Sequence, residues 1–465
     1  MAPTYPRVAA QATVVDGTGT YGRSLLFTDA RVAGSTSNTG EQNVTAFNAA
    51  MALLATGGGE LVFPAGIYEF VGATDVVPGG VWLRGVGHDY HTPTGGSDRP
   101  SKGAVLRATA SMTRLIQLGD DPSSSASGET GCSVADLVLD GNNLAADVVK
   151  TGGRRNRIER CYVIGGTTNT VNIAGQNSYV VDSKISGEGV GNPIYIEGQN
   201  DHKIFDNEIR QSATSGAGCI RITNASKVMI RGNHLWQGAN GVSAAGTLIY
   251  VEATLTNIVD GILIAGNTLE GSLSSKIYLL CSAAGGSLRN VNIVGNDFYE
   301  PAAITDNTLD IVKVDGPGPV TSINVSENTI LGYDPSHRFK AIVESADSGT
   351  RSRIRVNGNV GGNVAAAWTG FTPVDGRGNV FYNGSATVQT SASGKSTQSG
   401  NGATTAFTIA HGLSTTPSTV RVTPGHSASA ILFYVTADAT NITVTFSSAP
   451  ASASNNVVLN WAAEV

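Results

Sequence analysis

Five residues, Tyr195, Arg221, Tyr250, Tyr278 and Lys313, hold equivalent positions in a series of short apolar strands. Two residues further on stand Glu197, Thr223, Glu252 and Asp315. Strand side chains alternate faces with period two, so both sets point away from the aliphatic side. Stacked, they make two outer columns. Tyrosine rings pack on the apolar faces of sugars, while cations and carboxylates bond hydroxyls. Tyr195, Arg221, Tyr250, Tyr278 and Lys313 are therefore candidate binding residues. Glu197, Glu252 and Asp315 are candidate catalytic carboxylates, because two carboxylates flanking a glycosidic bond hydrolyse it across a gap of about 5–9.5 Å. Coils about 4.8 Å apart set Glu197 and Glu252, two coils apart, at about 10 Å, slightly wide for that chemistry. A Tyr/Arg pair could instead abstract a proton beside a uronate carboxylate, as a lyase does. Taken singly, each residue also has an ordinary reading, as a partner on a solvated sheet face or in a subunit interface.

The strands that must position these groups recur. They are VNI (Val171 to Ile173), IYIE (Ile194 to Glu197), CIRIT (Cys219 to Thr223), IYVE (Ile249 to Glu252), IYLL (Ile277 to Leu280), VKVD (Val312 to Asp315) and AIVE (Ala341 to Glu344). Between them runs a second pattern, apolar-x-apolar-x-Gly-Asn-x-apolar, as in VMIRGNHL, ILIAGNTL and VNIVGNDF. Its asparagines are Asn207, Asn233, Asn267, Asn296, Asn328 and Asn359, spaced 26, 34, 29, 32 and 31 residues apart. Upstream, Ser183, Cys161 and Leu137 hold the same place. Three residues before each position stands a β-branched residue, from Val134 to Val356, and two after it another large apolar one, until Gly361 breaks the rule. Asn tolerates the left-handed conformation of a sharp bend, and its amide can bond to the Asn of the next coil. Two or three short strands per 22–34 residues is the layout of a parallel β-helix. The intervals are too short for the four-stranded blades of a propeller.

Composition agrees. Gly is abundant (58 of 465 residues) and only 14% of residues are charged, as in all-β folds with many tight turns. A net charge of −6 argues against nucleic acid as partner. No apolar run is long enough for a membrane span, and MAPTYPRVAAQATVV lacks the features of a signal peptide. Cys132, Cys161, Cys219 and Cys281 form no metal-binding spacing and read as free, mostly buried thiols. His88 and His91, with Asp89, read as a polar loop rather than a metal site, and Asp120–Asp121, Asp136 and Asp140 as turn and surface groups. No metal or cofactor is expected.

Residues 44–55 (VTAFNAAMALLA) put Val44, Phe47, Met51 and Leu54 on one helical face, with Gly57 to Gly59 as the stop. Such a helix can plug the open end of a β-helix. The Ala-rich helix followed by GGGELVFPAGIY, and VWLRGVG (Val81 to Gly87) after it, resembles the opening of the pectate-lyase-like family of phage tail spikes and polysaccharide depolymerases. Where that family usually has Asp-Asp-Thr, this chain has Gln42, Asn43 and Val44. The likeness covers roughly residues 25–380. At the other end, FYVTADATNITVTFSSAP (Phe433 to Pro450) resembles a C-terminal module of minor tail proteins of actinobacterial phages.

The expected architecture is an N-terminal arm (1–40), a right-handed parallel β-helix with a capping helix (41–382), a polar linker (383–402) and a small C-terminal β-sandwich (403–465). The resemblance implies a homotrimeric tail spike or fibre in the virion tail, in contact with other tail proteins and binding host cell-surface polysaccharide. A tail depolymerase, hydrolase or lyase, is the alternative, and a purely structural tail component the third.

Overall fold

The computed structural model describes residues 24–87, 100–120, 131–188, 191–211, 218–237, 246–272, 274–300, 308–345, 349–383 and 386–465. The His88/His91 loop and Asp121 lie outside them. The fold is a right-handed parallel β-helix with one N-terminal helix and two small antiparallel sheets at the C-terminal end. The chain divides into two compact units, residues 1–229 and 230–465.

In the first unit the helix spans Gly40–Leu54. Thr39 caps it, with the Thr39 and Gln42 side chains bonding each other's backbone N–H. Its buried face is Ala46, Phe47, Ala50, Met51 and Leu54, and Val44 is only half-buried. Phe47 meets Phe70 edge-on at 6.3 Å, beside Phe27, Phe63 and Tyr68. Asn43, buried, accepts from Ser35 N and donates to Glu69 O, tying the helix to the chain on both sides.

Each regular coil has three strands. The first carries the β-branched residue, as in Tyr179–Val181 or Ser287–Val294. A bend leads to a short middle strand, as in Asp297–Tyr299, and a loop to the third, as in Asp310–Asp315. All pair in parallel with the same strand of the neighbouring coil. Leu83, Val134, Ile158, Val180 and Ile204 lie in register in the first unit, and Ile264, Ile293, Val325 and Val356 in the second. All nine are fully buried. The second apolar file, Leu269, Phe298, Ile330, is interrupted at Gly361 because a Cβ there would lie 2.0 Å from Ile330 O. Phe381 resumes it one coil on.

The bend differs from expectation in one respect. The left-handed residue is not the asparagine but the one before it: Gly232, Gly266, Gly295, Glu327, Gly358 and Gly378 have φ between 56° and 71°. Asp136, Arg160, Asp182 and Asp206 do the same in the first unit. The Gly-Asn pair thus divides the labour: glycine takes the strained backbone, and asparagine makes the ladder. All four cysteines are free and buried.

The C-terminal end has six strands in two three-stranded sheets. Ser391–Gly400 pairs with Ala453–Glu464, which pairs with Thr419–Pro424. Ala406–Ala410, Asn441–Phe446 and Phe433–Ala437 make the other sheet. Ser391–Gly400 falls in the stretch expected to be a linker. Its small polar residues lack an apolar stripe, yet nine register pairs with the last strand hold it. Phe407, Ile442, Val444, Phe446, Val457 and Leu459 fill the space between the sheets. No helix among the described residues is long and apolar enough to cross a membrane.

Candidate functional site

The predicted residues all lie on third strands of the coils. In the first unit the outward file reads Gln117, Lys150, Asn172, Tyr195, Arg221. Tyr195 is half-buried and Arg221 exposed, and Glu197, exposed, faces Thr223 in the next coil. Sequence reasoning missed the amides beside them. Asp147 accepts from Asn169 Nδ2 at 2.9 Å and from Asn172 Nδ2 at 2.8 Å, and Asn169 Oδ1 accepts from Asn192 at 3.3 Å. Asn172 holds the file position of the VNI strand, whereas Asp147, Asn169 and Asn192 fall outside the short apolar strands by which the repeat is recognised.

In the second unit the outward file is Tyr250, Tyr278, Lys313, Glu344. The two tyrosine rings meet edge-on at 5.3 Å. Lys313 Nζ lies 5.4 Å from the centre of the Tyr278 ring, within cation–π range. Tyr278 donates its hydroxyl hydrogen to Asp315 Oδ2 at 2.9 Å, and Lys313 Nζ stands 3.2 Å from the same oxygen. Gly316 N–H donates to Asp315 Oδ1. Tyr250, Tyr278, Lys313 and Asp315 therefore form one connected polar and aromatic face. Glu252 is in register with Leu280, and Leu280 with Asp315, so a leucine separates the two carboxylates.

Glu344 extends this face. It belongs to the AIVE strand recognised in the sequence, directly opposite Lys313. Its carboxylate pairs with Lys340 and lies near the Asp310 carboxyl. Asp310 is 3% exposed, and its Oδ1 is buried without a hydrogen-bond partner. Burial first, then the neighbouring Glu344 carboxylate, pushes the Asp310 carboxyl up to about 8. Glu344 moves the other way, held below the usual range by the neighbouring Asp310 carboxyl and by Lys340. Asp310 was invisible to pattern reasoning because it opens its strand, where alternation has not yet begun. Asp140, expected at the surface, is fully buried and satisfied by Arg107 Nε at 2.8 Å, while Asp136 pairs with Arg160 on the outside. No group of His, Cys, Asp or Glu among the described residues is arranged to hold a metal ion.

No family model and no curated protein matches the sequence. Solved structures do match the fold. The A-module of the Azotobacter vinelandii mannuronan C-5 epimerase AlgE6 is 16% identical, with a TM-score of 0.55 over 77% of this chain and 99% of that one. ORF18 of Geobacillus virus E2 is 11% identical, with a TM-score of 0.50 over 92% of this chain and 78% of that one. The DFA-IIIase of Arthrobacter chlorophenolicus A6 without its lid is 12% identical, with a TM-score of 0.50 over 77% and 93%. What this chain shares with these carbohydrate-acting enzymes and this viral protein is the right-handed, pectate-lyase-like parallel β-helix.

Proposed function

We propose that this chain is a tail-spike protein of a phage virion that binds a cell-surface polysaccharide along the outer face of its third strands. The observation that carries the reading is the connected set Tyr250, Tyr278, Lys313 and Asp315, which offers ring edges and faces, an ammonium and a carboxylate on adjacent coils. A polysaccharide is a repeating, hydroxyl-rich ligand, and a ladder of residues at about 4.8 Å intervals suits an extended chain of rings. The β-helix shared with a mannuronan epimerase module and a viral protein is consistent with both halves of the proposal. The resemblance of Phe433 to Pro450 to a phage tail module supports the virion setting. A homotrimer contacting other tail proteins follows from that resemblance.

Binding to an array of purified polysaccharides tests it. Tyr278→Ala and Tyr250→Ala should each weaken binding at least tenfold while the thermal midpoint stays within a few degrees. Undiminished binding by both variants would remove this face from the reading.

A further inference from the structure

We propose that the C-terminal end of the β-helix carries a second ligand site, a cleft that takes an acidic sugar unit, with Arg355 binding its carboxylate and Trp368 packing against its ring. The site goes beyond the reading above: it shares no residue with Tyr250, Tyr278, Lys313 and Asp315, and it stands or fails independently of them.

The last coils build the cleft. The outward file of the first strands runs Asn292, Asn324, Arg355 and continues through a single bridge to Asp375. Val374 N–H donates to Ile354 O at 2.8 Å and Val356 N–H to Asp375 O at 2.9 Å, so residues 374–375 prolong that sheet by one coil. Two hollows open beside them, of about 530 and 710 Å³, and Arg355, Asp375, Arg377 and Glu464 line both. The hollows are thus two ends of one cleft, between the β-helix and the C-terminal sheets and wholly within the second unit. Clefts of about 300–1,000 Å³ where two folded parts meet are a favoured place for small ligands.

The larger hollow has an aromatic wall. Trp368 stands opposite Val343 in the third-strand sheet and is half-buried. Gly376 lets the indole lie close, since an added Cβ would be 2.5 Å from the ring. Pro373 and Val374 continue the apolar wall, and Ser418 and Thr419 add hydroxyls.

The charges divide into paired and unpaired. Arg377 is held by Asp375, Nε to Oδ1 at 2.9 Å, and its Nη1 stands 3.9 Å from Glu464 Oε1. Asp375 also accepts from Asn357 Nδ2 at 3.0 Å. Arg355 is exposed, and its guanidinium has no ion-pair or hydrogen-bond partner among the described residues. A planar guanidinium fork binds a carboxylate through two parallel hydrogen bonds. An indole packs on the apolar face of a sugar ring. A ring that carries a carboxylate answers both. Glu464 and Asp375 narrow the choice further, because carboxylates only accept hydrogen bonds and so favour a ligand rich in hydroxyl donors. Phosphate and acidic peptides bring more negative charge and fewer donors, and the same two carboxylates repel them.

Tryptophan fluorescence and calorimetric titrations of the full chain test this. The probes are trimers of galacturonate, mannuronate and glucuronate, each beside its neutral methyl ester, with inorganic phosphate and triglutamate as competitors of other classes. At least one uronate trimer should change the emission saturably and bind about tenfold tighter than its ester. Arg355→Gln, at an exposed position, should bring that acid to the affinity of its ester. Trp368→Phe should abolish the emission change while calorimetry still detects binding. Tyr278→Ala should leave all of these results as they are. Equal affinity of acid and ester, an Arg355→Gln variant that binds as the parent does, or an emission change that survives Trp368→Phe overturns the site. Tighter binding of phosphate or triglutamate than of every uronate does the same. Loss of uronate binding in Tyr278→Ala puts the ligand on the third-strand face, overturning the cleft and supporting the earlier reading. No uronate binding at all, with binding to the polysaccharide array intact, overturns the cleft and leaves that reading standing.

Discussion

A single oxygen joins Asn296 to Asn328: Asn328 Oδ1 accepts from Asn296 backbone N–H at 2.9 Å and from Asn296 Nδ2 at 3.0 Å. The same double bond joins Asn233 to Asn267, Asn267 to Asn296, Asn328 to Asn359 and Asn359 to Asn379. It closes on Thr390, whose Oγ1 accepts from both nitrogens of Asn379. In the first unit Ser183 N–H donates to Asn207 Oδ1 in the same way, and Cys161 N–H to Ser183 Oγ. Each ladder side chain thereby satisfies the buried N–H that the bend removes from the sheet.

Asn328→Ala should be among the most damaging single changes in the ladder. It strands two donors of Asn296 and removes the donations to Ile293 O and Asn359 Oδ1. A loss of about 2–4 kcal/mol is expected from urea unfolding, since buried groups left unpaired cost about 1–3 kcal/mol each. A loss under about 1 kcal/mol would contradict that role for the amide.

Gly295→Ala tests the other half of the bend. Gly295 has φ of 63° and nothing within 4 Å of where an added methyl would stand, so only backbone strain is added. The cost should be about 1–2 kcal/mol. Glu327, which already sits at φ 56°, should gain a similar amount on change to Gly.

Lys276 and Glu300 are fully buried and ion-paired, and Lys276 Nζ also donates to Gly271 O at 2.8 Å. Burial draws the lysine below its usual range, against the pull of Glu300. Lys276→Met takes the cation away from a buried carboxylate and should cost about 3–5 kcal/mol. Adding Glu300→Gln should recover part of that loss. Equal stability of the single and double variants would show that the pair is not coupled.

His202 is buried, accepts from Ser178 N–H at Nδ1, and has no partner for Nε2. Burial lowers it to about 4 from 6.5. The unfolded chain therefore takes up the proton first. The resulting stability is complete above pH about 6.5 and is lost as pH falls towards 4, up to about 3 kcal/mol. Between pH 7 and 4.5, His202→Asn should lose less of its urea midpoint than the parent chain does, and an equal loss would rule this histidine out.

The strand order, the helix and the interior were legible because burial imposes a period. Val134 to Val356 repeat because every coil must place one branched side chain in the same file. The Gly-Asn pair was legible as a bend, but which residue turns left-handed was not, since both types tolerate it. Ser391–Gly400 escaped because a strand with small polar side chains is held by its partner's backbone, which leaves no mark on its own composition. Asp140 escaped because its partner, Arg107, lies a full coil away.

For the outer face the division falls in the same place. The sequence by itself determined that Tyr195, Arg221, Tyr250, Tyr278 and Lys313 point outward from third strands, because alternation along a strand is a local property of the backbone. Only the tertiary structure decided that Tyr278 bonds Asp315 and that Glu344 stands opposite Lys313. Those relations depend on register between coils, which irregular loops of differing length set and no local pattern encodes.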